Sequence, residues 1–140
     1  MLTGHCLCGR VAYELDGKLG PLTFCYCESC RRVQGGAFVA AAPARRKYFR
    51  LVAGGDAITE YESSPGKFRA FCRVCGSPIW SRLVADPETV RLRLGTLDGD
   101  PGRRPAAHVF VAEKAPWFAI GDDLPQSQGD GSDLVGGGRP

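Results

Sequence analysis

All seven cysteines of this chain fall into three short clusters: Cys6-Leu7-Cys8-Gly9, Cys25-Tyr26-Cys27-Glu28-Ser29-Cys30 and Cys72-Arg73-Val74-Cys75-Gly76. Pairs of cysteines two or three positions apart are spaced as proteins space zinc ligands, because one tight turn brings both sulfurs to a single ion. A glycine directly after a ligand, as at Gly9 and Gly76, suits that turn and lets backbone N–H groups face a thiolate. Disulfides are the poorer reading: a Cys-x-Cys bridge closes a strained small ring, and an odd number of cysteines cannot pair off completely. An isolated cysteine would read as an inert buried thiol, but seven of seven in metal spacing do not.

Structural zinc takes four ligands, commonly two close pairs from distant segments, whereas catalytic zinc keeps three protein ligands and one exchangeable position. Joining Cys6 and Cys8 to Cys72 and Cys75 gives a complete four-sulfur site. It leaves Cys25, Cys27 and Cys30 as a local group of three, and two zinc ions per chain are then expected. Ligand counting is equally satisfied if the second cluster completes the four-sulfur site and Cys6 and Cys8 are spare.

The elements that must position these residues read as β-structure. Val11, Tyr13 and Leu15 alternate with polar or small neighbours, as a half-buried strand requires. Similar runs are expected at 38–42, 48–52, 58–61, 67–72, 79–84, 89–94 and 108–112, separated by Gly, Pro, Asp and Ser clusters. Val90, Leu92 and Leu94 against Arg91 and Arg93 is the cleanest alternation. Only residues 28–34 look helical, a short piece that begins inside the second cysteine cluster and stops at Gly35-Gly36. The expected fold is therefore mainly β, with several short twisted antiparallel sheets pinned by zinc and one short helix. Apolar patterning ends after Trp117-Phe118, so the division expected is a zinc-binding domain over 1–125 and a flexible Gly/Ser/Asp tail over 126–140.

Bulk composition narrows the function classes. At 140 residues and 44% hydrophobic content the chain can hold one core of its own. No apolar run approaches the roughly 20 residues of a membrane-spanning helix. Met1-Leu2-Thr3-Gly4-His5 lacks a signal-peptide pattern, so a cytoplasmic, reducing setting is the expectation. The formal charge of +3 counts each cysteine as a neutral thiol; seven thiolates holding two Zn²⁺ bring it to zero. That removes the composition-level argument for nucleic-acid binding.

The clusters and their flanks resemble a known family, the glutathione-dependent formaldehyde-activating enzymes, whose domain is shared with centromere protein V. Gly4-His5-Cys6-Leu7-Cys8-Gly9-Arg10-Val11 resembles the family's opening, and Cys25-Tyr26-Cys27-Glu28-Ser29-Cys30-Arg31 its central cluster. Phe71-Cys72-Arg73-Val74-Cys75-Gly76 resembles the third block, and Pro105-Ala106-Ala107-His108 with Trp117 the closing one. The resemblance implies a structural zinc on Cys6, Cys8, Cys72 and Cys75, a second zinc on Cys25, Cys27 and Cys30, and a β-tent-like fold. It also implies a carbon–sulfur lyase, run as S-(hydroxymethyl)glutathione synthase, that condenses formaldehyde with a small-molecule thiol such as glutathione. A non-catalytic zinc module binding glutathione, another thiol or a protein is the alternative. Tyr26 departs from the histidine many relatives carry, at a position outside the assigned ligands.

Glutathione has two carboxylates, and Arg31 and Arg32 follow Cys30 directly, where they could grip them; solvated surface charge is the plainer reading of each. His108 lies within an expected strand, where it could act as a substrate-contacting acid or base or be hydrogen-bonded packing.

Overall fold

A computed structural model describes residues 1–134. Its strands, in chain order, are β1 (Leu2–His5), β2 (Ala12–Leu15), β3 (Thr23–Cys25), β4 (Val39–Arg45), β5 (Phe49–Ala53), β6 (Ile58–Ser64), β7 (Lys67–Cys72), β8 (Pro78–Leu83), β9 (Asp86–Arg93) and β10 (Ala107–Val109). The helix α1 spans Glu28–Gln34. Both α1 and β7 have the bounds that their sequence patterns predict.

β1, β2 and β5 make a three-stranded antiparallel sheet, and the other seven strands a second sheet in the order β10-β3-β4-β9-β8-β7-β6. The core lies between them. Val11, Tyr13 and Leu15 pack from the small sheet against Ala42, Ala44, Ala70, Trp80, Val90 and Leu92 of the large one. The Tyr13 hydroxyl hydrogen-bonds Thr96 Oγ1 at 2.7 Å, tying the small sheet to the turn that follows β9.

Because side chains alternate along a strand, the large sheet has a second face. Val90 and Leu92 enter the core while Arg91 and Arg93 point the other way, and the same parity puts Thr23, Val39, Ala41, Lys67 and Ser81 around one cleft. The register aligns them in rows. Thr23 pairs with Ala41 and Ala41 with Arg93, while Arg69 pairs with Ser81 and Ser81 with Arg91.

Two sequence expectations are corrected. β10 pairs with β3 in parallel, although antiparallel pairing was expected throughout. The chain reaches that edge through a long Gly- and Pro-rich connection, and only a tight hairpin forces its strands antiparallel. The flexible tail does not begin at Gln126. Gln126 forms a bridge with His108, the Ser127 N–H donates to His108 O at 2.9 Å, and the Phe110 N–H donates to Gly129 O at 2.7 Å. The Ser127 hydroxyl oxygen accepts from the Gly129 and Gly131 N–H groups at 3.2 Å each. A polar segment with little to bury is ordered here because it satisfies the backbone groups at a sheet edge. Residues 135–140 of the expected tail lie outside the described residues.

Candidate metal centres and the adjoining cleft

The seven sulfurs form two groups. Cys6, Cys8, Cys72 and Cys75 gather with all ligand atoms within 4.8 Å of one another, and Cys25, Cys27 and Cys30 do the same. Cys6 and Cys8 sit on the turn between β1 and β2, while Cys72 and Cys75 flank the turn from β7 to β8. In both turns the glycine after the second cysteine is left-handed, with φ of 78° at Gly9 and 80° at Gly76. The Gly76 N–H donates to Cys72 O at 2.7 Å, closing the turn.

This geometry fits a zinc ion. Four sulfurs about 2.3 Å from a tetrahedral centre stand about 3.8 Å apart, and Cys6–Cys8 and Cys8–Cys72 are 3.5 and 3.9 Å apart. Donors that favour thiolates surround the group. The Val11 N–H donates to Cys6 Sγ at 3.3 Å, and the Ser77 hydroxyl, 3.3 Å from Cys75 Sγ, heads the contacts that bring that thiol down to about 5. None of these four cysteines lines the cleft.

The group of three is built by one local fold. Cys25 ends β3, Cys27 caps α1 with its sulfur accepting the Cys30 N–H at 3.3 Å, and Cys30 lies in the first turn of the helix. Gly35, left-handed at φ 72°, ends the helix and returns its N–H to Arg31 O. Three sulfurs this close share their protons unequally. Hydrogen bonds from Cys25 and Cys27, with the Arg69 guanidinium beside it, hold Cys30 far below the ordinary thiol range. The same contacts with Cys27 and Cys30, together with burial, push Cys25 up. Arg69 is 4% exposed; its Nη1 donates to Cys30 Sγ at 3.6 Å and its Nε to Ser63 Oγ at 2.9 Å. A group that stabilises one thiolate and crowds two more sulfurs around it suits a divalent cation.

Cys25 and Cys30 form part of the wall of a cleft of about 300 Å³. Lys67, Arg91 and Arg93 line it from the large sheet, and Phe110 and Asp130 from the C-terminal part of the chain. Burial brings Arg93 down to about 10 and lowers Lys67, the neighbouring guanidiniums adding to both.

Of the other expected site residues, none lines this cleft. Arg32 pairs with Glu28 across one turn of α1, its side chain 75% exposed. Arg31 turns back so that its Nε donates to Tyr26 O at 3.3 Å, bracing the backbone between two of the cysteines. His108 is buried between two partners: Tyr26 Oη stands 2.8 Å from Nδ1 and Asp122 Oδ1 2.9 Å from Nε2. The Asp122 carboxylate can only accept, so in the neutral ring Nε2–H donates to it and Nδ1 accepts from the Tyr26 hydroxyl, which burial keeps protonated. Phe24, Phe38 and Phe118 complete this aromatic cluster. His108 is thus hydrogen-bonded packing that anchors Tyr26, and with it the loop carrying Cys25 and Cys27. Tyr26→Phe is expected to leave His108 Nδ1 without its donor and to lower stability by about 1–3 kcal/mol; denaturant unfolding measures this.

Sequence reasoning missed Lys67, Arg69, Arg91 and Arg93. Their only signal was the alternation in β7 and β9, which shows that the cations share a face without showing what that face meets.

Fold and site together define a small β-protein with two cysteine groups able to hold metal, one closed and one opening on a cationic cleft. Comparison with known proteins gives the family. A model of the glutathione-dependent formaldehyde-activating enzyme family matches residues 1–113, and the chain belongs to that family. A Halomonas elongata protein, provisionally named a glutathione-dependent formaldehyde-activating enzyme, is 30% identical over 128 residues, covering 86% of this chain and 81% of that protein. A Rhodobacter sphaeroides protein of known crystal structure superposes with a TM-score of 0.60 at 29% identity, over 74% of this chain and 97% of its own.

Proposed function

We propose that the chain is a zinc-dependent carbon–sulfur lyase that forms or cleaves thiol–aldehyde adducts, with S-hydroxymethylglutathione, made from glutathione and formaldehyde, as the leading case. One observation carries this reading: the three-sulfur group, unlike the four-sulfur one, borders a cleft large enough for a small molecule. Family membership supplies the thiol and the aldehyde.

Zinc held by Cys25, Cys27 and Cys30 would supply a net charge of −1 and a soft open position, which suits a thiol better than activated water. The remaining work falls to the chain. Cys25 and Cys30 present the sulfur wall, Arg69 offsets its negative charge, and the cleft holds the reactants side by side. In the forward direction the thiol S–H bond breaks, a C–S bond forms to the aldehyde carbon, and the proton ends on the former carbonyl oxygen. The step consumes no oxidant or reductant. All seven cysteines are unbridged, as a cytoplasmic setting would keep them. Among the described residues no helix is long and apolar enough to cross a membrane.

Thiols add to formaldehyde unaided, so the test is a rate. Cys27→Ser keeps the helix cap, since a serine hydroxyl accepts the Cys30 N–H as the sulfur does. It is expected to return adduct formation to the uncatalysed rate at matched thiol, a loss of about 10²-fold or more. Equal rates for variant and wild type would leave a thiol-binding module and no enzyme.

A further inference from the structure

We infer that the cleft beside Cys25 and Cys30 recognises a carboxylate, Lys67, Arg91 and Arg93 together with the Ser81 hydroxyl holding the acidic end of a small thiol. The sulfur end of this assignment rests on the adduct-forming function proposed above; the carboxylate end rests on the cleft alone.

Charge is the first argument. Lys67, Arg69, Arg91 and Arg93 bring four positive charges to one face of the large sheet. Asp130 supplies one negative charge. The three-sulfur group supplies a second when its three thiolates surround a divalent ion. Two positive charges remain in excess, in a place where charge is costly to bury. Arg93 is only 5% exposed. An anionic ligand of one or two charges removes that excess.

The second argument is independent of charge. Thr23 Oγ1 and Ser81 Oγ are buried, 4% and 0% exposed as residues, and have no hydrogen-bond partner among the described residues. Both line the cleft. Buried hydroxyls in native proteins are satisfied, so two unsatisfied ones in a single cleft point to a ligand that completes them. The sheet register sets Ser81 directly opposite Arg91, while Thr23 lies in the row of Arg93 with Ala41 between them. A hydroxyl and a guanidinium side by side suit the two oxygens of a carboxylate, and Thr23, on the strand that ends in Cys25, offers a hydrogen bond to the rest of the ligand. A volume of about 300 Å³ limits the occupant to a small molecule.

The experiment titrates N-acetylcysteine and its carboxamide, which differ only in the acid group, into the metal-loaded full-length protein by calorimetry. The acid is expected to bind roughly tenfold or more tightly than the amide, as a charge-assisted contact provides. Lys67→Met keeps the apolar stem and is expected to shrink that ratio to about threefold or less with metal content unchanged. Equal affinity for acid and amide in the wild type, or no binding of either, overturns the inference. The two proposals fail separately. Acid-selective binding with no acceleration of adduct formation removes the enzyme and keeps the carboxylate site, whereas catalysis without acid preference removes the site and keeps the enzyme.

Discussion

Cys72→Ser is expected to cost the protein one metal equivalent and its cooperative unfolding transition together. Cys72 is fully buried at the end of β7, and its sulfur stands 3.9 Å from that of Cys8, which sits between the first two strands of the small sheet. The four-sulfur group therefore links the start of the chain to β7, next to the edge strand of the large sheet, between segments some 64 residues apart. Structural zinc contributes an apparent 10–16 kcal/mol in small zinc domains, as much as the whole stability of about 5–15 kcal/mol of an ordinary protein. Serine supplies a poor ligand and leaves the other three thiols crowded. Circular dichroism melts and metal analysis of the purified variant check the outcome. The comparison is the Cys25/Cys27/Cys30 triple serine variant, expected to fall from two zinc ions to one while keeping a cooperative melt. If both variants unfold alike, the division of labour between the groups is wrong; if the wild type holds a single zinc, the proposed chemistry loses its metal.

Arg69→Met is expected to weaken metal retention at the three-sulfur group by about 10–100-fold and to destabilise the fold by about 3–5 kcal/mol. The guanidinium is buried and donates to Cys30 Sγ, so its loss removes the charged donor from that thiolate. An opposing effect is present, because removing one of four crowded cations relieves repulsion on Lys67 and Arg93. The direct contact wins: it acts at hydrogen-bond distance inside the protein, and breaking one half of a buried pair costs more than relaxing several longer repulsions. Competition with a coloured chelator measures the affinity, and Arg69→Lys, which restores charge without the forked donor, should recover part of it. Unchanged metal affinity in Arg69→Met would show that the cysteines alone set the site.

Much of the scaffold was legible in the sequence. The helix at Glu28–Gln34 was marked by its flanking cysteines and by Gly35-Gly36, and β7 by its alternation and the turn that follows it. β1 and β3 went unread, since Leu2-Thr3-Gly4-His5 and Thr23-Phe24-Cys25 carry no alternating apolar run of the kind Val11, Tyr13 and Leu15 give β2. Residues 126–134 were misread because composition records how much a segment can bury and ignores the backbone partners a neighbouring edge offers. Arg31 and Arg32 looked like substrate grips because they follow Cys30, but a helix turns successive residues about 100° apart, and these two bond Tyr26 O and Glu28 and do not line the cleft.

Ligand chemistry belonged to the sequence alone. Cys-x-Cys and Cys-x-x-Cys spacing with a following glycine states which sulfurs share a turn, because the reach of one turn is a local property of the backbone. Tertiary structure decided which turns meet and what the three-sulfur group faces. Lys67, Arg69, Ser81, Arg91, Arg93 and Thr23 come from four strands, and only the register of those strands puts them on one face beside Cys25 and Cys30. Alternation along a single strand fixes that its two faces differ; whether the polar face meets water or encloses a cleft depends on segments far away in the chain.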